Sequence, residues 1–203
     1  LGLAAARNTG IKNSAGSFIC FLDDDDIWLP EKINYQLHAY YKKPARIGVI
    51  SCHTIIKADN KSFLRYCRIH GNFFRHLFLD QPLGNGSTLM FTRACIMKTG
   101  LFDITYKRGI DGEYLRRVAL NYKATFADYG LVFYNFNSNL SRITSTTSTS
   151  TRKDLISHIR ILRLSRIVNS FWDLKTLRLY IKIFKRLLVL RKRYYILVLL
   201  GLK

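Results

Sequence analysis

SFICFLDDDDIWLPEKINYQLHAYY, residues 17–41, sets a strand, four carboxylates and a helix in direct succession. Ser17–Leu22 is a short apolar run rich in β-formers and reads as a buried strand. Beyond the aspartates, Pro30 suits a first helical position. Ile33, Leu37, Tyr40 and Tyr41 then recur at the spacing of one helical face. Upstream, LAAARNTGI (Leu3–Ile11) is helix-prone and ends near Gly10; downstream, IGVISC (Ile47–Cys52) is a second buried strand. The order helix–strand–helix–strand predicts an α/β sheet. In an open sheet of that kind, ligands bind beyond the carboxyl ends of the strands, which is where Asp23–Asp26 fall.

Like charges this close raise one another's pKa, so the run needs a cation, a helix N-terminus or water around it. A helix cap explains one carboxylate, not four. The glycine and distal glutamate of an EF-hand loop are absent. Hard oxygen ligands with few protein donors suit Mg²⁺ or Mn²⁺ shared with substrate phosphates. A second acidic position stands in RGIDGEYLRR, where Asp111 precedes a predicted helix and Glu113 lies in its first turn. Both read either as caps favoured by the helix dipole or, for Asp111, as a general base beside a metal–phosphate site.

The rest of the body is less regular. GNGSTLMFTR (Gly84–Arg93) reads as a turn and a strand, and ACIMKTGLFD as a short helix closed by Gly100. Asp111–Leu120 reads as a helix with Tyr114, Leu115, Val118 and Ala119 inward. ATFA and LVFYNF read as two strands. The polar Ser/Thr stretch at 138–151 marks the end of the body.

Composition narrows the classes. Apolar residues make up 48% of the 203-residue chain, which excludes global disorder. The net charge of +20 is uneven: residues 151–203 hold 14 Lys/Arg against 2 acids. An excess of this kind points to an anionic partner. Cys20, Cys52, Cys67 and Cys95 form no C-x-x-C pair, which argues against a zinc site and fits reduced thiols of a cytosolic protein. His38, His53, His70, His76 and His158 show no ligand spacing. No signal peptide is visible, and no apolar run reaches the roughly 18 residues of a membrane span.

AARNTGIKNSAGSFICFLDDDDIWLPEKINYQ (5–36) resembles the segment of family 2 glycosyltransferases in which an A-R-N-x-G-I helix leads to a strand ending in D-x-D. NGSTLMFTRACIMKTGLFD (85–103) resembles the family's next block, with its G-x-F-D turn. RGIDGEYLRRVAL (108–120) resembles the block that carries its catalytic carboxylate. Three blocks in order span residues 2–120. The resemblance implies a GT-A-like fold: a mixed, mainly parallel sheet flanked by helices, occupying residues 1–145. It implies transfer from a nucleotide-sugar donor to a saccharide or lipid-linked acceptor, metal-dependent and inverting, in cell-surface polysaccharide synthesis. By position, Asp23 and Asp25 match the D-x-D and would meet Mg²⁺ or Mn²⁺ and the nucleotide. Asp111 matches the catalytic base. Arg7 and Arg117 match donor-side arginines, and Asn85, Gly86 and Ser87 fall where sugar and acceptor would lie.

Two departures stand out. The acidic residue usual before the base is Ile110. The histidine many relatives carry after the last body strand is replaced near Asn137, in YNFNSNLSRI. The family's first strand and nucleoside-binding turn would precede residue 1, so the chain, which begins at Leu1, is expected to be continued upstream.

Residues 146–203 read as a basic helical tail. On a wheel of about 100° per residue, Lys175, Arg178, Lys182, Lys185 and Arg186 form a cationic stripe. Leu177, Tyr180, Ile181, Phe184, Leu187 and Leu188 form a broad apolar face. Such a helix fits an anionic membrane interface or packs on the body with a solvated basic face. No nucleic-acid module is recognisable. The expectation is therefore a cytoplasmic protein peripheral to the inner face of a membrane. The alternatives are a non-catalytic nucleotide- or glycan-binding remnant and a basic lipid- or nucleic-acid-binding adaptor.

Overall fold

The computed structural model describes residues 2–136, apart from 43–45, 59–60, 69, 79–82 and 107–108. In chain order the elements are α1 (Leu3–Asn13), β1 (Phe18–Cys20), β2 (Asp26–Trp28), α2 (Lys32–Tyr41), β3 (Ile47–Ala58), β4 (Lys61–Arg65), α3 (Phe74–Phe78), a 3₁₀ turn at Gly86–Thr88, β5 (Met90–Thr92), α4 (Arg93–Thr99), α5 (Ile110–Val118) and β6 (Lys123–Phe136). The Ser138–Thr151 boundary, the tail helix and Asn137 lie outside the described residues.

The six strands form one mixed sheet flanked by helices, in the order β1-β5-β3-β6-β2, with β4 paired to β3. The mixed α/β architecture is as expected, but the share of parallel pairing is smaller. Only β3 and β6 run parallel among the described strands; the other pairings are antiparallel. The reason is topological. β5 lies between β1 and β3 and runs against both.

The main core lies where α4 and α5 meet the sheet. Tyr114, Leu115, Val118 and Ala119 of the α5 region are all buried, as their spacing predicts. Tyr114 stacks on Phe102 at 4.0 Å and meets Phe91 edge-on at 5.5 Å. Its hydroxyl donates to the Gly100 carbonyl at 3.0 Å, so the ring buries its area without orphaning its polar end. Gly100 closes α4 with φ of 85°, a backbone state that favours glycine.

Three sequence expectations change. ATFA and LVFYNF are one 14-residue strand, β6, whose register against β3 shifts around Cys52–Thr54. There, His53 bonds Asp128 through Nε2 at 2.7 Å and accepts the Cys67 main-chain N–H at Nδ1. Second, α2 begins at Lys32, two residues after Pro30, and its face is rotated. Lys32 and Gln36 are fully buried, whereas Tyr41 is 73% exposed. Leu37 and Tyr40 still pack against the Ile47, Ile50 and Met90 cluster. Third, β2, β4 and α3 had no distinct pattern in the sequence.

Candidate active site

The strand–turn–strand around the acid run builds the site. β1 ends at Cys20, the chain turns through Asp23–Asp26 with the Asp26 N–H donating to the Asp23 carbonyl at 3.1 Å, and β2 leaves along β6. From the other side, the Gly86–Thr88 turn presses against this bend. The Asp23 N–H donates to Ser87 Oγ at 3.0 Å, and Trp28 Nε1 donates to the Ser87 carbonyl at 2.8 Å. Asn85 Nδ2 donates to Asp26 Oδ2 at 2.9 Å.

Arg7 joins these parts. Its guanidinium forks, one arm to Asp23 Oδ1 at 3.1 Å and the other to Asp111 Oδ1. The Arg7 side chain is 4% exposed, while those of Asp23 and Asp111 are about one-third exposed, at 31% and 32%. Phe21 and Phe102 wall the guanidinium at 5.3 and 5.6 Å. Gly86 lies so close that a Cβ there would come within 2.2 Å of Arg7 Nη2. An open cleft of about 440 Å³ runs between α1 and β1, with Arg7 and Asp23 on its wall.

The electrostatics follow from crowding. Burial pushes the Asp111 carboxyl up, and Arg7 opposes that rise. Burial also raises Asp26, with Asp25 and Asp23 adding to the effect. A single guanidinium, that of Arg7, bonds two of the carboxylates gathered here, Asp23 and Asp111.

Arg7, Asp23, Asp111, Asn85, Gly86 and Ser87 thus come together, and Asp25 sits in the same turn. Arg117 does not join them. Its guanidinium is taken up by Glu113 at 2.7 and 2.8 Å and by the Thr99 and Leu101 carbonyls at 3.0 Å each. Ile110, where an acid is usual, is buried in the main core.

Sequence reasoning missed a polar brace behind the acid run. The ammonium of Lys32 lies 4.0 Å from the Trp28 ring centroid and donates to Gln36 Oε1 at 2.8 Å. Gln36 Nε2 donates to the Ile50 and Thr88 carbonyls at 3.0 and 2.8 Å. Burial lowers the Lys32 pKa. The brace holds the Gly86–Thr88 turn from beneath. Its signal was present: Trp28, Lys32 and Gln36 are spaced by four, which puts the last two on one helical side.

As for a metal, no group of three or more His, Cys, Asp or Glu side chains converges on one ion-sized point among the described residues. Mg²⁺ and Mn²⁺ sites shared with phosphates need only one or two protein carboxylates. The donors here are all oxygen, and Asp26 Oδ1 and Asn85 Oδ1 are buried without a hydrogen-bond partner. This chemistry fits a hard cation at the acid run.

The model of glycosyl transferase family 2 matches residues 1–105, more than half of the chain. The chain belongs to glycosyltransferase family 2. Among relatives of this family 2 domain is an uncharacterized glycosyltransferase of Rickettsia prowazekii (strain Madrid E). It is 31% identical over 114 residues, which are 52% of this chain and 35% of that protein. The Escherichia coli UDP-Glc:alpha-D-GlcNAc-diphosphoundecaprenol beta-1,3-glucosyltransferase WfgD is 49% identical over 41 residues, 20% of this chain and 16% of its own. The family 2 domain therefore spans well under half the length of these curated relatives. The crystal structure of S. aureus TarS 1–349 in complex with UDP-GlcNAc superposes with a TM-score of 0.59 at 14% identity, covering 92% of this chain and 52% of TarS 1–349. That likeness shows the fold, a GT-A-like one. Among the described residues no helix is long and apolar enough to cross a membrane.

Proposed function

We propose that this family 2 domain transfers a sugar from a nucleotide-sugar donor to a hydroxyl of a saccharide or lipid-linked acceptor, with inversion at the anomeric carbon. The observation that carries the reading is the Arg7 fork, which ties the acid-run carboxylate Asp23 to Asp111. Two blocks of carboxylates far apart in sequence are thereby held at one place, one suited to diphosphate and cation, the other to a reacting hydroxyl. The relatives' names add support: TarS was crystallised with UDP-GlcNAc, and WfgD is named for UDP-Glc and a diphosphoundecaprenol-linked acceptor.

In this reading Asp23 and Asp25 would hold Mg²⁺ or Mn²⁺, which when bound would offset the charge growing on the departing diphosphate. The acceptor oxygen forms its bond to the anomeric carbon from the face opposite the diphosphate. The anomeric C–O bond breaks and its electron pair leaves with the diphosphate, while the acceptor proton passes to Asp111. Partial exposure lets Asp111 meet a hydroxyl, and the Arg7 fork fixes the direction of its carboxylate. Arg7 thus acts as an orienting cation. Asn85, Gly86 and Ser87 form the floor beneath the donor. The bonds of Arg117 support a bracing role for it, setting α5 and hence Asp111. We place this work on the inner face of an anionic membrane, in cell-surface polysaccharide synthesis; the excess of Lys and Arg in segment 151–203 supports the attraction to an anionic surface.

The test separates the two carboxylate blocks in the full-length protein. Asp25→Ala should lose metal-dependent donor binding. Asp111→Asn should keep donor binding and lower transfer by roughly 10²–10⁴-fold, the worth of general-base help. Near-normal turnover by Asp111→Asn would remove it from the mechanism.

A further inference from the structure

The polar brace under the acid run ends on two consecutive carbonyls of the Gly86–Thr88 turn. Trp28 Nε1 donates to the Ser87 carbonyl at 2.8 Å, and Gln36 Nε2 donates to the Thr88 carbonyl at 2.8 Å. Lys32 touches both clamps. Its ammonium lies 4.0 Å from the Trp28 ring centroid and donates to Gln36 Oε1 at 2.8 Å. One cation therefore stands between the two side chains that grip the turn.

Lys32 and Gln36 are both 0% exposed. A lysine is almost never fully buried unless paired, and taking an ammonium out of water is costly. Packing alone would be served better by an apolar side chain of similar length. What the ammonium adds is direction. A glutamine amide carries two donors on its nitrogen and an acceptor on its oxygen. Here the nitrogen faces the Ile50 and Thr88 carbonyls at 3.0 and 2.8 Å, and the oxygen faces Lys32. Turned over, the amide would set its oxygen against two carbonyls and its NH₂ against an ammonium. Lys32 thus locks the orientation in which Gln36 can hold Thr88.

The other end of this stretch is fixed in a similar way. The Leu83 carbonyl accepts from Ser51 Oγ and from Cys67 Sγ, the latter at 3.2 Å. Between the anchors, Thr88 Oγ1 donates to the Asn85 carbonyl at 2.8 Å. The suspended residues then face the site one after another. Asn85 bonds the Asp26 carboxylate, Gly86 lies against the Arg7 guanidinium, and Ser87 Oγ accepts the Asp23 N–H at 3.0 Å.

We propose that Gln36 is a positioning residue for donor binding, with Lys32 as the lock on its amide: together they set the Gly86–Thr88 turn and, through Ser87, the Asp23 backbone. The effect on binding rests on the donor reading above; the effect on Asp23 does not.

The test has two arms in the full-length protein. One is hydrogen exchange of the Asp23 main-chain N–H, with the Val118 N–H in α5 as reference. The other is calorimetric binding of UDP with Mn²⁺, UDP being the nucleotide named for WfgD and TarS. Gln36→Met keeps the side-chain length, and should speed Asp23 exchange and weaken UDP binding, each roughly 10-fold, the equivalent of one hydrogen bond. Val118 should keep its rate. Gln36→Glu retains an oxygen for Lys32 but turns a carboxylate on the Thr88 carbonyl, so it should behave no better than Gln36→Met. Lys32→Met leaves Gln36 in place and frees its amide to turn, so it should move both readouts in the same direction and keeps the test open if the Gln36 variants do not fold. Combined with Gln36→Met it should add little, because both act through one carbonyl. Three results would overturn the proposal: unchanged Asp23 exchange in folded Gln36→Met or Lys32→Met; equal acceleration of Asp23 and Val118, which marks a general loss of stability; or wild-type behaviour of Gln36→Glu, which would make contact with Lys32 sufficient. A wild-type protein that ignores UDP and Mn²⁺ would count against the donor reading, and the exchange rates would still decide the positioning role.

Discussion

Replacing Gly86 with alanine tests the fork with a single methyl group. The added Cβ would lie 2.2 Å from Arg7 Nη2, 3.2 Å from Cζ and 3.5 Å from Asp23 Oδ2. A mobile arginine would swing aside at small cost. This one is walled by Phe21 and Phe102 and pinned at both arms, so the methyl must break a carboxylate contact. A hydrogen bond to a charged group contributes about 1.5–3 kcal/mol. If that energy keeps Asp23 and Asp111 in working geometry, donor turnover by the full-length protein should fall roughly 10- to 150-fold. Stability should fall by about 1–3 kcal/mol, as for overpacking elsewhere, measured by urea denaturation in parallel. Asp23→Asn in the same background should cost less than it does alone, because both changes act through one guanidinium. Gly86→Ala turnover within twofold of wild type, with an unchanged urea midpoint, would refute the reasoning.

Two further outcomes follow from buried groups. Because burial holds the Lys32 pKa down, the unfolded chain binds the extra proton between the folded value and the ordinary 10.5, so this group makes stability rise with pH across that window. Lys32→Met should lack that rise, and urea midpoints of both proteins at pH 7 and pH 10 should shift in favour of wild type at the higher pH; parallel shifts would show that Lys32 does not titrate there. Burial pushes the Cys52 thiol up to about 12 and Cys95 up to about 11, so neither should react with a disulfide reagent at pH 8 until urea unfolds the chain; rapid labelling of Cys52 in the folded protein would contradict its burial.

The sequence spoke clearly where local rules and tertiary context agree. α5 showed its buried face because Tyr114, Leu115, Val118 and Ala119 follow helical spacing and all pack into the main core. α2 did not, because its buried face is polar: Gln36 spends its amide on the Ile50 and Thr88 carbonyls, and Lys32 finds a ring and an amide oxygen instead of water. A hydrophobic-stripe reading cannot choose a lysine as its centre. The three-residue strand β2 is too short for a period to register, and it exists because β6 offers it a partner. The site's members were legible as motif positions. Their junction through Arg7 was not, since no spacing rule links residue 7 to residue 111. Arg117 shows the converse: a motif position whose guanidinium is taken up by Glu113 and the α4–α5 connection.

The Arg7 fork also imposes an order of assembly. One arm spans 16 residues of chain and the other 104. At synthesis rates of about 5–20 residues per second, Asp111 emerges roughly 5–20 s after Arg7. During that interval a nascent chain can close the short arm, while the guanidinium lacks its second carboxylate and Phe102 has yet to cover it. Arg7 therefore stays hydrated until the second and third sequence blocks have both arrived. Completion of the carboxylate pair and desolvation of the arginine are a single late event, so a ribosome-bound intermediate would hold the acid run without the geometry to use it.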